Sequence, residues 1–120
     1  MPSRKLVARE LAEVFKVLAH PDRIRVIEEL RLDEQDVATL AARLELSASR
    51  VSQHLSLLRA HRMVDEERDG RRHLYHLVQP ELAAWIIDAL SFVEARGHSL
   101  SAASIDSVRR QWSGDTGSGS

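Results

Sequence analysis

The chain has 120 residues and a mass of 13.5 kDa, which is the size of a single domain with one hydrophobic core. Apolar residues make up 43% of the sequence and charged residues 29%, a composition that is typical of folded soluble proteins. Cysteine is absent, which excludes disulfide bonds, thiolate metal sites and cysteine nucleophiles. We find no signal peptide and no apolar run of the roughly 18 residues that span a membrane, so we expect a cytoplasmic protein with no membrane partner.

The charge of the chain is unevenly distributed. Its net charge is −1, yet residues 37–62 contain four arginines and Glu45 as their single acid. Between Ser47 and Arg62 there is no acidic residue. Because the whole chain is not a polycation, a nucleic-acid function has to come from this local concentration of positive charge. The alternative interpretation is a basic, solvent-exposed helix face without a ligand.

Two amphipathic helices are predicted at the start of the chain. Apolar residues recur at steps of three and four through residues 3–19, and Ser3 is a suitable N-cap. Pro21 disfavours helical geometry in His20 but suits the first turn of a following helix. We therefore predict a second helix from about Pro21 to Arg31.

The next segment has the pattern of a helix-turn-helix motif. Apolar stripes run through residues 37–44 and 51–58, and a short joint at residues 45–47 separates them. Ser47 can accept hydrogen bonds from the free amides of the second helix, which makes it an N-cap. Two helices joined so closely, the second starting at a cap, are typical of helix-turn-helix proteins.

A β-hairpin and a long helix complete the predicted architecture. Extended patterns at residues 63–68 and 71–77 flank Asp69-Gly70, a pair typical of two-residue hairpin turns. Pro80 opens a helix predicted to run to about Arg96, with apolar residues on two sides that indicate a core and a second subunit. Residues 99–112 have the pattern of a weak helix and residues 113–120 that of a flexible Gly/Ser tail. We therefore predict a domain at residues 1–98 and a C-terminal extension at residues 99–120.

The order of these elements is that of a winged helix with flanking helices, and the chain resembles the ArsR/SmtB family of small bacterial repressors. Leu18–Ile27 resembles the start of the family's second helix, Ser49–Arg59 its recognition helix and Asp69–Leu77 its wing. The resemblance covers about residues 6–95. It implies a mainly α (α+β) winged helix-turn-helix fold with N- and C-terminal dimerisation helices. It also implies a homodimer that binds palindromic operator DNA and represses transcription, often until a ligand releases it.

The candidate DNA-binding residues lie on the predicted recognition helix and the wing. Small polar side chains at the start of a recognition helix allow close approach to base edges. Arg50 could bind guanine or a phosphate, whereas Arg59 and Arg62 lie further along and are expected to meet phosphates. Acids on the opposing strand of the wing would be repelled by DNA unless they face away, so the wing is expected to add little net attraction. The candidates are Ser47, Ser49, Arg50, Ser52, Gln53, His54, Arg59, Arg62, Arg71 and Arg72.

The usual metal ligands of the family are not found at the matching positions. Where one type of sensor has cysteines, this chain has Asp36 and Ala38. Where another type has Asp and His pairs on its last helix, this chain has Gln79, Glu81, Phe92 and Ala95. No cofactor is therefore expected to be required.

One local pair could still bind a metal ion. Glu94 and His98 are four residues apart, a spacing that would suit nickel or zinc if the helix continues past Gly97. A solvated pair at a helix end is the alternative interpretation.

An enzyme is not expected, because we find no glycine-rich phosphate loop and no spacing that pairs a nucleophile with a base.

Two alternatives to a ligand-released repressor remain at the level of sequence. One is a winged-helix module that binds a partner protein through its acidic wing. The other is a repressor whose sensor is a separate partner protein.

Overall fold

The computed structural model describes residues 3–96 and 102–118. The chain divides into two compact units, one ending at Gln79 and the other beginning at Pro80. None of the helices within the described ranges combines the length and apolar character of a membrane-spanning helix.

The first unit contains four helices followed by a hairpin. In chain order they are α1 (Arg4–Leu18), α2 (Pro21–Leu30), α3 (Val37–Leu44), α4 (Ala48–Ala60), β1 (Val64–Asp69) and β2 (Arg72–Leu77). This order confirms the mainly α (α+β) winged helix-turn-helix fold that the sequence predicts. The second unit consists of α5 (Glu81–Asp88), α6 (Leu90–Ala95) and α7 (Ala102–Ser118).

Side chains at the helix starts explain where α1 to α4 begin. Ser3, His20, Asp36 and Ser47 each occupy an N-cap and accept a hydrogen bond from a backbone N–H of the first turn, over 2.8–3.1 Å. These bonds satisfy amides that have no partner within the helix. At the end of α3, Glu45 takes the left-handed conformation with φ 56°. The chain therefore reverses within the few residues that separate the helices of the motif.

The core of the first unit joins the helix-turn-helix to the hairpin. Its fully buried side chains come from α2, α3, α4 and β1, and they are Val26, Ile27, Leu40, Val51, Leu55, Leu58 and Val64. Their spacing on α4 leaves the opposite face of that helix in solvent. The apolar stripes that predict the motif are thus the ones that the fold buries.

The hairpin turn differs by one residue from the prediction. Asp69 pairs with Arg72 in the antiparallel register of β1 and β2, so the loop consists of Gly70 and Arg71 instead of Asp69-Gly70. Gly70 has φ +65°, a conformation that glycine adopts at the first position of a type II′ turn. Beside β2, Gln35 exchanges two backbone hydrogen bonds with Tyr75, of 3.1 and 2.9 Å.

The C-terminal unit corrects two sequence predictions. The long helix predicted from Pro80 is divided into α5 and α6. At the division, the Ala89 N–H donates to the Ile86 carbonyl and the Phe92 N–H donates to the Ala89 carbonyl, so that these hydrogen bonds span three residues instead of four. α7 continues to Ser118, so most of the predicted flexible tail at residues 113–120 is helical. The division at Gln79 groups α7 with α5 and α6, on which it packs, and the domain boundary at residue 98 stays a prediction.

The cap at the start of α4 predicts a measurable loss of stability. Replacing Ser47 with alanine removes the acceptor of the Arg50 N–H, 3.1 Å away, and is expected to destabilise the protein by about 1 kcal/mol. Urea denaturation of both proteins gives the difference. Ser56→Ala, at an exposed interior position of the same helix, is the control and should change stability by less than about 0.5 kcal/mol. Equal effects of the two substitutions would contradict the capping role.

Candidate nucleic-acid interface

The first two turns of α4 present polar side chains to solvent. Ser49, Arg50, Ser52 and Gln53 are exposed, while Val51 between them is fully buried. The cap at Ser47 fixes the start of the helix and directs its free amides outward. This part of α4 therefore has the small polar surface and the open helix start that close approach to a DNA groove requires.

Positive charge on this surface is not neutralised by neighbours. Within residues 3–96 and 102–118, neither Arg50 nor Arg62 forms an ion pair within 4.0 Å. Arg62 follows the C-cap of α4 with φ 60° and is exposed. Both guanidinium groups thus lack an ion pair within the described residues, and the contacts predicted for them, a base or a phosphate for Arg50 and a phosphate for Arg62, stay predictions.

His54 is buried, so its predicted exposure on the DNA-facing side of the helix is wrong. Its side chain is 9% exposed, because position 54 lies three residues after Val51 and four before Leu58, on the buried stripe of the helix. The Arg23 guanidinium lies 3.4 Å from Nδ1, while Nε2 lies 3.7 Å from a carboxylate oxygen of Asp22. His54 therefore holds the recognition helix against the start of α2.

The surroundings of His54 favour the neutral imidazole. Burial is the main cause that lowers its pKa, and the nearby charges of His20 and Arg23 add to the effect. A guanidinium can only donate hydrogen bonds, so Nδ1 accepts from Arg23. The proton of the neutral ring then lies on Nε2, which faces Asp22.

Arg59 is paired within the protein instead of being left for phosphates. Its guanidinium lies 3.4 Å from Asp65 and 3.2 Å from Glu66. These contacts connect the end of α4 to the first strand of the wing. Because Arg59 neutralises part of the negative charge of β1, this acidic strand can lie beside a DNA-binding helix.

Glu66 is the centre of a small network on one face of the wing. It accepts hydrogen bonds from His73 and from the Tyr75 hydroxyl, the latter over 3.1 Å, besides its contact with Arg59. The bond from His73 is the main reason why the pKa of Glu66 is lowered. Burial, and then the bond to Glu66, raise the pKa of Tyr75. The Tyr75 hydroxyl is thus engaged within the wing.

The two arginines of the wing have different surroundings. Arg72 lies 3.2 Å from Asp36, the N-cap residue of α3, so its charge stabilises the attachment of the wing to the helix-turn-helix. Arg71 lies in the hairpin loop and is exposed, and it forms no ion pair among the residues that the structure describes. Arg71 is therefore the better placed of the two to contact DNA.

Because of the carboxylates of Asp36 and Glu66, we expect the protein to lose stability in acid. The pKa of Asp36 is lowered, chiefly by hydrogen bonds from Thr39, and that of Glu66 by the bond from His73. A carboxyl whose pKa is lower in the folded state stabilises it above the unfolded pKa, and loses this contribution as the pH falls through the folded value. Stability should therefore decline below the usual glutamate value of 4.5. Urea denaturation at several pH values should show a shallower decline for Glu66→Gln than for the unchanged protein, and identical slopes would contradict the network.

Known proteins are similar to this chain in sequence and fold. Residues 20–66 match the sequence profile of the family described as bacterial regulatory protein, arsR family. The transcriptional repressor SmtB of Mycobacterium tuberculosis is 34% identical over 90 residues, which cover 75% of this chain and 67% of SmtB. The crystal structure of Rv0081 from M. tuberculosis superposes on this chain with a TM-score of 0.66 and 36% sequence identity. The match covers 75% of this chain and 90% of the Rv0081 chain. The chain belongs to the ArsR/SmtB family. The solution structure of Mb0332 of Mycobacterium bovis is described as the homodimeric winged helix-turn-helix DNA-binding domain of a possible ArsR-family transcriptional regulator. It is similar to this chain with 26% identity and a TM-score of 0.66, over 83% of this chain and 92% of that one.

The structure shows the surroundings of two residues that bear on metal binding. Asp36, at one cysteine-equivalent position, is occupied by its capping bond to Thr39 and its contact with Arg72. Glu94 of the predicted metal pair forms an ion pair of 2.7 Å with Arg109, and His98 lies outside the described residues. A metal site at Glu94 and His98 stays a prediction.

Proposed function

We propose that this ArsR/SmtB protein is a homodimeric transcriptional repressor that binds a palindromic DNA operator through α4. The carrying observation is the exposed polar surface at the start of α4, where Arg50 has no ion pair among the described residues and no acid lies between Ser47 and Arg62. Small polar residues and an arginine at this position can bond base edges in the major groove. Repression is supported by the similarity to SmtB of M. tuberculosis, which is named a repressor.

Exposed apolar side chains support the homodimer. Leu6, Val7 and Leu11 of α1 are each 45–56% exposed, and Phe92 of α6 is 73% exposed. Apolar residues grouped on a helix face indicate a surface that a partner covers. The homodimeric state of Mb0332 supports a second copy of the chain as that partner. In a dimer, two copies of α4 would read half-sites about 34 Å apart, one turn of DNA.

Selection from a random duplex library tests the proposal directly. The purified protein should enrich an inverted repeat whose half-site centres are about 10 base pairs apart. Its affinity for that duplex should exceed its affinity for a scrambled duplex by about 10³-fold or more. Enrichment of no sequence, together with equal affinity for both duplexes, would favour a partner protein as the ligand of the winged helix.

The contact of Arg62 with phosphate predicts a change in salt dependence. Arg62→Ala should weaken binding to operator and scrambled duplex alike, and reduce the slope of log K against log salt by about 1 per protomer, or about 2 for the dimer, because one fewer counterion is released by each protomer. Fluorescence anisotropy at several salt concentrations measures the slope. Arg109→Ala removes an equal charge that is already paired with Glu94 and should leave the slope unchanged. A selective loss for the operator alone would instead assign Arg62 to base recognition.

A further inference from the structure

Three neighbouring segments of the first unit bring Glu34, Glu67 and His76 together. Gln35 pairs with Tyr75, so Glu34 lies opposite His76 in the same antiparallel arrangement. On the other side of β2, His76 pairs with Asp65 of β1, and Glu67 follows on the same face because side chains alternate. One ring nitrogen of His76 and one carboxylate oxygen of each glutamate all lie within 4.8 Å of one another.

The groups in this cluster are chemically available. The Nδ1 atom of His76 is buried and has no hydrogen-bond partner within the described part of the chain. Among the described residues, neither Glu34 nor Glu67 forms a side-chain ion pair within 4.0 Å. A buried imidazole nitrogen without a partner requires an explanation, and two carboxylates this close repel each other unless a cation lies between them.

A second cluster, formed by His20, Asp22 and His54, has similar ligand distances but different chemistry. The Nδ1 atom of His20 already accepts the Asp22 N–H at 3.1 Å, and Nδ1 of His54 faces the Arg23 guanidinium at 3.4 Å. A metal-bound imidazole needs an acceptor, not a donor, at its other nitrogen. The positive charge of Arg23 also opposes a cation at that place.

We propose that Glu34, Glu67 and His76 form a binding site for a divalent transition-metal ion at the base of the wing. Bonds of about 2.0–2.2 Å from zinc to nitrogen and oxygen place two ligands of one ion roughly 3–4 Å apart, so small side-chain rotations close the cluster around an ion. One imidazole with two carboxylates suits zinc, nickel or cobalt, whereas magnesium and calcium prefer oxygen ligands alone. Zinc is the ion used in the test.

The position of the site connects it with the DNA-binding surface. Glu67 is one of four acids on β1, with Asp65, Glu66 and Asp69, and an ion adds two positive charges to this strand. The ion also links the wing to the segment between α2 and α3, which holds the wing in one position relative to α4. We therefore expect zinc to raise the affinity for DNA, a consequence that rests on the proposed function.

Isothermal titration of the full chain, prepared without a polyhistidine tag, with zinc chloride tests the site itself. We expect one ion per chain, and at least about tenfold weaker binding for His76→Gln and for Glu67→Gln, since loss of even an outer-shell partner costs 10–100-fold. Glu67 is exposed, so its substitution tests the site without disturbing the core. Circular dichroism and thermal unfolding check the fold of both variants. Magnesium chloride should give no binding that depends on His76.

The matched control is the double variant Glu94→Gln/His98→Gln, which alters the pair predicted from sequence. It should retain the zinc binding that is weakened in His76→Gln and Glu67→Gln. Loss of zinc binding in this variant, or unchanged binding in His76→Gln and Glu67→Gln, would overturn the proposal. DNA titrations with and without zinc then test the coupling separately, and a zinc effect that persists in His76→Gln would contradict it.

Discussion

Replacing Arg50 with alanine is expected to weaken binding to the selected operator by about 1–3 kcal/mol and to relax the preference at one base pair of each half-site. The side chain is exposed on the first turn of α4 and has no ion pair among the described residues. Its removal therefore leaves no buried group unsatisfied, and any loss of affinity reports on DNA contact instead of on folding. Anisotropy titrations against the operator and single-base variants measure both effects.

Arg50→Lys separates the two possible partners of this arginine. Lysine keeps the positive charge but cannot form the two parallel hydrogen bonds that a guanidinium makes with guanine. If Arg50 binds a base, lysine should lose most of the specificity; if it binds a phosphate, lysine should retain most of the affinity for every duplex. Operator binding by Arg50→Ala that equals that of the unchanged protein would contradict the assignment of α4 and favour the partner-protein function.

Introducing a charge at Phe92 is expected to convert the proposed dimer into monomers. The side chain is 73% exposed, so a glutamate there is solvated in the monomer and costs its fold little. In a dimer interface the same charge would be buried without a partner. An effect of about 2 kcal/mol or more, typical of central interface residues, would raise the dimer dissociation constant about thirtyfold or further. Sedimentation velocity at micromolar concentration measures it, and operator affinity should fall with the loss of the dimer.

Leu32→Glu is the matched control for this prediction. Leu32 is also an exposed apolar residue, at 47%, but it lies between α2 and α3 instead of on the proposed interface helices. It should leave the molecular mass in solution unchanged. Ile86, whose place on the apolar last helix predicts that it faces the partner subunit, is partly buried within the described residues, so a charge there would also disturb folding. A monomeric unchanged protein, or a Phe92→Glu variant that stays dimeric, would contradict the interface.

Local patterns in the sequence were enough to predict the helix-turn-helix and the wing. The stripe that includes Val51, Leu55 and Leu58 predicts the buried face of α4, and these residues are fully buried. Ser47 predicts the start of the helix because capping depends on residues within one turn. The exposure of Ser49 and Arg50 follows from the same helical period. Motifs of this kind depend on neighbours in sequence, which is why they can be recognised without a structure.

The surroundings of the charged and titratable side chains were decided by the tertiary structure. The sequence shows Arg59 as one of several similar basic residues, yet the hairpin brings Asp65 and Glu66 to it. Sequence spacing identifies possible partners of a histidine only among residues close to it along the chain. The fold instead places His54 of α4 beside Asp22 of α2. Likewise, Glu34 and His76 are 42 positions apart in the sequence and become neighbours through the pairing of Gln35 with Tyr75.

The physical reason for this division is the range of the interactions. Helical period, capping and turn conformation act over a few residues, so the sequence of this protein by itself determines a winged helix-turn-helix with a polar, basic start of α4. Ion pairs, buried histidines and metal-ligand clusters depend on distances between segments far apart in the chain, which are set when the shared core forms. Only the tertiary structure therefore decided which arginines remain available for DNA and which polar residues meet at the base of the wing.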